Sequence, residues 1–320
     1  MSSPSQADET SSGFLLVANK GDHTLGIVNP VAGKQLAAIP EGGVTGHEVA
    51  ATPDGRRAFV PIYGNSGVGQ PGTNGQNIAV FDLTTRERTG NIEFNHPVRP
   101  HCAVFGPKNG LLYVTTELDK AIAVIDPKDL KIIGSVPTDQ PESHMLAISH
   151  DGTRGYTANV GPGTVSVLDL EARKVLAVIP ISKNTQRISI SADDSMVFTA
   201  DQEKPRIAVI DTATNKVKTW IPLPAIGFGT TATLDGRWLL ATLPKSNQVA
   251  VINLKTLKVD HLVDVPSAPQ EILAAPGGQF VYVSCNVKHQ VAVVRTSDWS
   301  VEKLIDCGKD SDGLAWAAAR

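Results

Sequence analysis

Apolar and polar positions along the chain fall into short runs that repeat, and the repeat is the first thing the sequence establishes. The stretch GHEVAATPDG (46–55) is an apolar run opened by a polar residue and closed by a Pro-Asp-Gly turn. Versions of it recur as AVFGPKNG, LAISHDG, ISISADD, TATLDG and ILAAPGG, each ending in Asp, Gly, Asn or Pro. A second run follows each (AFVP, LYVT, GYTA, VFTA, WLLA, VYVS), then a third with clean alternation (IAVFDL, IAVIDP, VSVLDL, IAVIDT, VAVINL, VAVVRT). The fourth is more polar: TGNIEF, KIIGSV, KVLAVI, KVKTWI, KVDHLV, VEKLID. Period-two alternation, β-branched enrichment and turn residues between the runs predict four strands per unit. No stretch has a helical period of useful length.

Aligned at the position of His47, the copies place His47, His101, His144, Gln186, Phe228, Gln270 and Asp312 in register, spaced by 54, 43, 42, 42, 42 and 42 residues. A period near 42 held this strictly is the signature of a propeller. Residues 14–40 supply second, third and fourth strands without a first, and DGLAWAA (312–318) supplies a first strand alone. The two ends therefore complete one sheet, and the expectation is an all-β, seven-bladed β-propeller whose ring closes by pairing of the terminal strands, which removes the exposed sheet edge. The domain reading is a disordered tail over 1–12 and one propeller domain over 13–320. The surplus in the longest step lies at 63–75, a Gly-rich stretch without GxGxxG or GK[ST] that reads as a surface loop or a flap over the site.

Composition narrows the function classes. Hydrophobic residues are 41% and charged residues 19%, with a net charge of −3, and no basic stripe argues for nucleic acid. No run approaches a membrane span, so no membrane insertion is expected. The start MSSPSQADETSS lacks the features of a signal peptide, which reads as cytoplasmic, or as periplasmic or secreted if a leader has been removed. Cys102, Cys285 and Cys307 cannot all pair and show no CxxC spacing, so they read as small buried residues.

Chemistry enters at the aligned position. The first strand of each blade lines a propeller's channel, so the seven residues form a ring, and three consecutive members are His. With 8 His in 320 residues, roughly 0.2 would fall on seven sites by chance. Converging imidazoles suit a divalent transition metal (Zn, Cu, Fe or Ni), and three protein ligands with an open position is a catalytic arrangement. A water-filled polar channel and a His-lined site for an organic anion are the alternatives. Glu142 and Glu117 are candidates for the general base. Gln186, Gln270, Asp312, Arg99, Tyr63, Asn159, Asp201 and Phe228 are candidates for substrate contact. Glu48 and Glu271, directly after ring residues, are expected to point sideways between blades. His23, His96, His150, His261 and His289 read as surface residues.

LYVTTE (112–117), VYVSCN (281–286) and the recurring xIAVIDxxTxKV units resemble the YVTN-repeat β-propellers, a group that includes lactonase-like and surface-layer-associated proteins. The Asn of that motif stands here as Asn19 and Asn159, with Ile62, Thr116, Asp201, Leu243 and Cys285 at the matching positions. The resemblance implies the propeller fold and suggests hydrolysis of a lactone or ester; lyase, isomerase or copper-type redox chemistry stays open. The expected protein is thus a metal-dependent enzyme, a monomer acting on a small-molecule substrate in the central funnel. Its rivals are a non-catalytic scaffold for protein or cell-envelope components, and a metal-binding propeller without turnover.

Overall fold

A computed structural model describes residues 13–319; the tail expected over 1–12 lies outside the described residues. Twenty-eight strands form seven four-stranded antiparallel sheets. Blade 1 joins Ser311–Ala318 to Gly13–Asn19, Thr24–Asn29 and Lys34–Pro40. The terminal strands pair from Gly13↔Ala318 to Val17↔Leu314, so the ring closes as the incomplete end repeats require. Blades 2 to 7 open on Ala50–Ala51, Pro100–Phe105, Ser143–Ile148, Thr185–Ile190, Thr230–Ala232 and Pro269–Ala274. The only helix among the described residues is the single 3-10 turn Asn286–Lys288.

Burial follows the sequence pattern. The third strands differ from the alternation read in them: Ala121–Asp126 and Arg206–Asp211 are buried through their centres, because both faces pack on neighbouring blades. The fourth strands, such as Lys131–Pro137 and Lys174–Pro180, are largely open to solvent, which accounts for their polar sequences. The core therefore lies between blades. Phe59, Ile78 and Val80 of blade 2 pack on Ala103, Leu112, Val114 and Ile125 of blade 3. Each buried aliphatic or aromatic side chain contributes about 1.5–3 kcal/mol.

The recurring turn has a chemical lock. Thr52 Oγ donates to Asp54 Oδ1 at 2.6 Å, and the same oxygen accepts the Arg56 amide at 3.1 Å. Ser149–Asp151, Ser191–Asp193 and Thr233–Asp235 repeat the hydroxyl–carboxylate pair at 2.6, 2.7 and 2.6 Å. Gly55 in the first of these turns has φ +65°, and a Cβ there would stand 1.9 Å from the Ala318 carbonyl oxygen, so only Gly fits beside the closing strand.

Candidate functional site

The inner strands begin irregularly, and this irregularity builds the site. Register shifts fall at Pro100/Ala103, Ser143/Met145, Thr185/Ile188 and Pro269/Ile272, and in blade 1 between Val17 and Asn19, opposite Asp312. A bulge at the ring position breaks the alternation, so a ring residue and its successor can both reach the channel. That is why the sideways orientation expected for Glu271 does not occur, and Glu48 escapes it because it precedes the two-residue strand Ala50–Ala51, between that strand and the isolated Gly46–Ile62 bridge. Both carboxylates bond Arg187 Nη1, and Asp312 Oδ1 accepts from Nη2 at 3.2 Å. Arg187 is 4% exposed, and its guanidinium lies 5.0 Å from the Phe228 ring centroid. One cation thus ties blades 1, 2, 5 and 7 across the axis.

The electrostatics of this knot follow from burial. Burial opposes charge on Arg187, but Glu48, Glu271 and Asp312 outweigh it and hold the guanidinium protonated. Burial pushes Glu48 and Glu271 upward, with Arg187 offsetting only part of the shift. Burial also acts against ionised Asp312, yet Arg187 and Lys20 more than reverse it and leave that carboxyl below its usual range. Lys20 Nζ stands 3.4 Å from Asp312 Oδ2.

The three His come together as neighbours beside this knot. The His47 and His101 ring centroids are 5.4 Å apart at right angles, and those of His101 and His144 are 3.5 Å apart at 30°. Burial lowers His47 to about 3, and burial followed by the proximity of His144 and His47 lowers His101 well below the ordinary range, so both rings are neutral at pH 7. Glu117, which directly follows the strand Leu112–Thr116, places Oε1 2.5 Å from His144 Nδ1. Its other oxygen, Oε2, accepts the Tyr63 hydroxyl at 2.8 Å. With Nδ1–H given to the carboxylate, Nε2 of His144 is the basic nitrogen left free.

Fit to a transition metal divides into chemistry and geometry. Neutral imidazoles, a carboxylate behind one of them and a buried His101 Nδ1 without a hydrogen-bond partner are the right donors. Their placement is different: His101 and His144 lie face to face, and among the described residues no group of three or more His, Cys, Asp or Glu is disposed to hold a metal ion. The rings as they stand do not form a three-His centre.

The remaining expected residues divide between site and scaffold. Tyr63 belongs to the site: its ring lies 4.8, 5.2 and 6.0 Å from those of His47, His101 and His144. Gln186 carries a buried Oε1 with no partner, and Phe228, Gln270 and Asp312 stand at the ring positions opposite the His arc. Arg99 holds the loop that follows Gly64, through Asn74 Oδ1 at 2.6 Å, Ser66 Oγ at 2.8 Å and the Gln70 carbonyl at 2.5 Å. Glu142 accepts the Gly161 amide at 2.8 Å and approaches that loop at Gly69, with no hydrogen bond to a His ring among the described residues. Asn159 is buried, bonded to Ser143, Thr164 and Ser166, and Asp201 to Arg206 and the amides of Glu203 and Lys204; both secure strand ends. His96 and His150 are exposed, paired with Asp119 and Asp194.

Arg187 and Lys20 were not among the expected site residues. A signal for each was present: Glu48, Arg187 and Glu271 put opposite charges one residue after the ring in otherwise apolar inner strands, while Lys20, Tyr63 and Glu117 occupy one aligned position in three consecutive blades.

A cleft of ≈ 490 Å³ opens beside the His arc, lined by Gly69, Gln70, Pro71, Arg99, Glu117, Leu118, Lys120, Pro141 and Glu142. A second, apolar groove of ≈ 300 Å³ lies at the opposite end of the seam between blades 7 and 1, around Phe280, Tyr282 and Trp316, far from the ring.

No protein-family model matches the sequence, and comparison with curated proteins returns no match. Solved structures do. A chain of the hydrazine synthase of Kuenenia stuttgartiensis superposes with a TM-score of 0.75 at 18% identity, over 93% of this chain and 99% of that one. A functionally unknown protein from Desulfotomaculum acetoxidans gives 0.79 at 14% identity, over 97% and 100%. At these identities the likeness establishes the propeller fold alone.

Proposed function

We propose that this propeller is an enzyme acting on a small polar molecule at the mouth of its channel, with His144 as general base. The observation that carries the reading is the chain Tyr63 hydroxyl–Glu117–His144, in which the carboxylate fixes the tautomer and orientation of the imidazole. A positioned base of this kind serves hydrolysis of a lactone or ester, and equally a proton abstraction in a lyase or isomerase. His101 and His47, held neutral by burial, keep cationic charge away from His144 Nε2. Kinship with the YVTN-repeat propellers is part of this reading. It is supported by Asn19, whose amide bonds Thr24 and Gln35, doing in blade 1 what Asn159 does in blade 4.

The test is a panel of lactones and esters assayed with wild type, His144→Ala and Glu117→Gln. General-base catalysis predicts losses of about 10²–10⁴-fold in kcat/KM for His144→Ala. If no member turns over with wild type, hydrolysis of a lactone or ester is overturned, and the non-catalytic scaffold gains against the lyase or isomerase form of this reading. A bound transition metal is a second reading, favoured by the unpartnered His101 Nδ1, and it requires the His101 ring to turn out of its stack. Metal analysis of protein purified without chelator, repeated on His101→Ala, tests it: stoichiometric metal in wild type alone supports it, and metal in neither overturns it.

A further inference from the structure

Arg99 poses a problem of charge. It is 5% exposed, and each of its hydrogen bonds goes to a neutral oxygen: Asn74 Oδ1, Ser66 Oγ and the Gln70 carbonyl. These occupy Nε and Nη2. The guanidinium also faces the Tyr63 ring, 5.6 Å from its centroid, and among the described residues no carboxylate stands within ion-pair distance of it. A buried cation is ordinarily paired, because leaving it without a counter-charge is costly. Contrast Arg187, equally buried and surrounded by three carboxylates.

Arg99 also lines the ≈ 490 Å³ cleft that reaches Glu117, and so does Lys120, an exposed cation that forms no ion pair among the described residues. The two carboxylates of the cleft are otherwise engaged. Glu117 holds His144 and Tyr63, and Glu142 accepts the Gly161 amide. The cleft therefore offers, beside the proposed base, two cations that no carboxylate among the described residues pairs. We propose that it is an oxyanion subsite: the substrate carries a carboxylate or phosphate group, bound by the Arg99 guanidinium and Lys120, which sets its reacting part against His144. This rests on the acid–base reading for its place in a reaction, and stands on Arg99 alone as a binding site. It also gives the 63–75 insertion a role, since the loop's Ser66, Gln70 and Asn74 fix the guanidinium at the cleft wall.

Calorimetric titration of the full chain with malonate and with inorganic phosphate, and with neutral malonamide as control, tests the subsite and distinguishes carboxylate from phosphate. Either oxyanion is expected to bind wild type and malonamide not. Arg99→Gln should weaken binding about tenfold or more, the loss of a charge-assisted contact. Lys120→Ala should weaken it several-fold, and Glu142→Gln, which removes a negative charge from the cleft, should strengthen it. Asn74→Ala keeps the cation but releases one of the bonds that hold the guanidinium, and should weaken binding clearly less than Arg99→Gln does. Absence of binding at millimolar oxyanion, wild-type affinity in Arg99→Gln, or equal loss in Asn74→Ala would overturn the proposal. His144→Ala separates the two readings: oxyanion binding that survives there with unchanged turnover removes the base and leaves the subsite standing.

Discussion

Glu117 Oε1 lies 2.5 Å from Nδ1 of His144, although the two residues sit in different blades, 27 positions apart. The contact joins the end of one blade's second strand to the start of the next blade's first. Every blade has both positions, but only here do they hold a carboxylate and an imidazole that meet.

Glu117→Gln should therefore change the tautomer of His144 before it changes anything else. In wild type the carboxylate accepts Nδ1–H, and the nitrogen-15 shifts of the neutral ring should report the Nδ1–H tautomer. With an amide in place of the carboxylate this preference should weaken, while the strands on either side are undisturbed. Unchanged ring shifts in the variant would mean that Glu117 does not orient His144.

The knot around Arg187 makes a stability prediction with a pH sign. Arg187→Met leaves Glu48, Glu271 and Asp312 buried together without their cation. Breaking a buried ion cluster this way costs about 3–5 kcal/mol. Lowering the pH protonates the stranded carboxylates, so the variant's deficit in urea unfolding should shrink from pH 8 to pH 5. Adding Glu48→Gln and Glu271→Gln should recover much of the loss at pH 8. A deficit that does not depend on pH would show that packing, and not charge, is what Arg187 supplies.

The turn glycine beside the ring closure gives a simpler case. Gly55 combines φ +65° with a would-be Cβ 1.9 Å from the Ala318 carbonyl. Gly55→Ala should destabilise by more than about 1 kcal/mol, through a strained backbone and a displaced closing strand. Gly278 also has positive φ but nothing near its Cβ, so Gly278→Ala should cost less. Thermal unfolding of the two variants compares them directly.

How far the sequence could be read follows from what each residue depends on. The propeller, its seven blades and its closure were legible because hydrophobic alternation and the turn residues are local, and the 42-residue spacing repeats them. The gathering of His47, His101 and His144 was legible because a period places aligned residues at equal depth. The direction of Glu48, Arg187 and Glu271 was not, since alternation predicts sideways carboxylates; bulges at the inner strand starts override it for Arg187 and Glu271, and Glu48 precedes its strand. Asn159 and Asp201 read as ligand contacts because their end of the blade was known and their partners were not. Hydrogen bonds to Thr164 and Arg206, a few residues away across the next turn, explain both as scaffold.

Glu41 carries the pH dependence that depends least on the ring. It is fully buried; Oε2 accepts the Gly46 amide at 2.7 Å and Oε1 has no partner. Burial, partly offset by that amide, raises its carboxyl to about 7 from 4.5. A carboxyl raised on folding binds its proton more tightly in the native state, so between these values the native protein holds the extra proton. The contribution of Glu41 is then fully retained below about pH 4.5 and is lost as the pH rises through 7. A shift of this size corresponds to about 3 kcal/mol at most. Glu41→Gln keeps an oxygen for the Gly46 amide and cannot ionise. It should match wild type near pH 4.5 and exceed it in stability by a margin that grows up to pH 8, measured by urea unfolding at fixed ionic strength. A constant difference across that range would place the titration elsewhere.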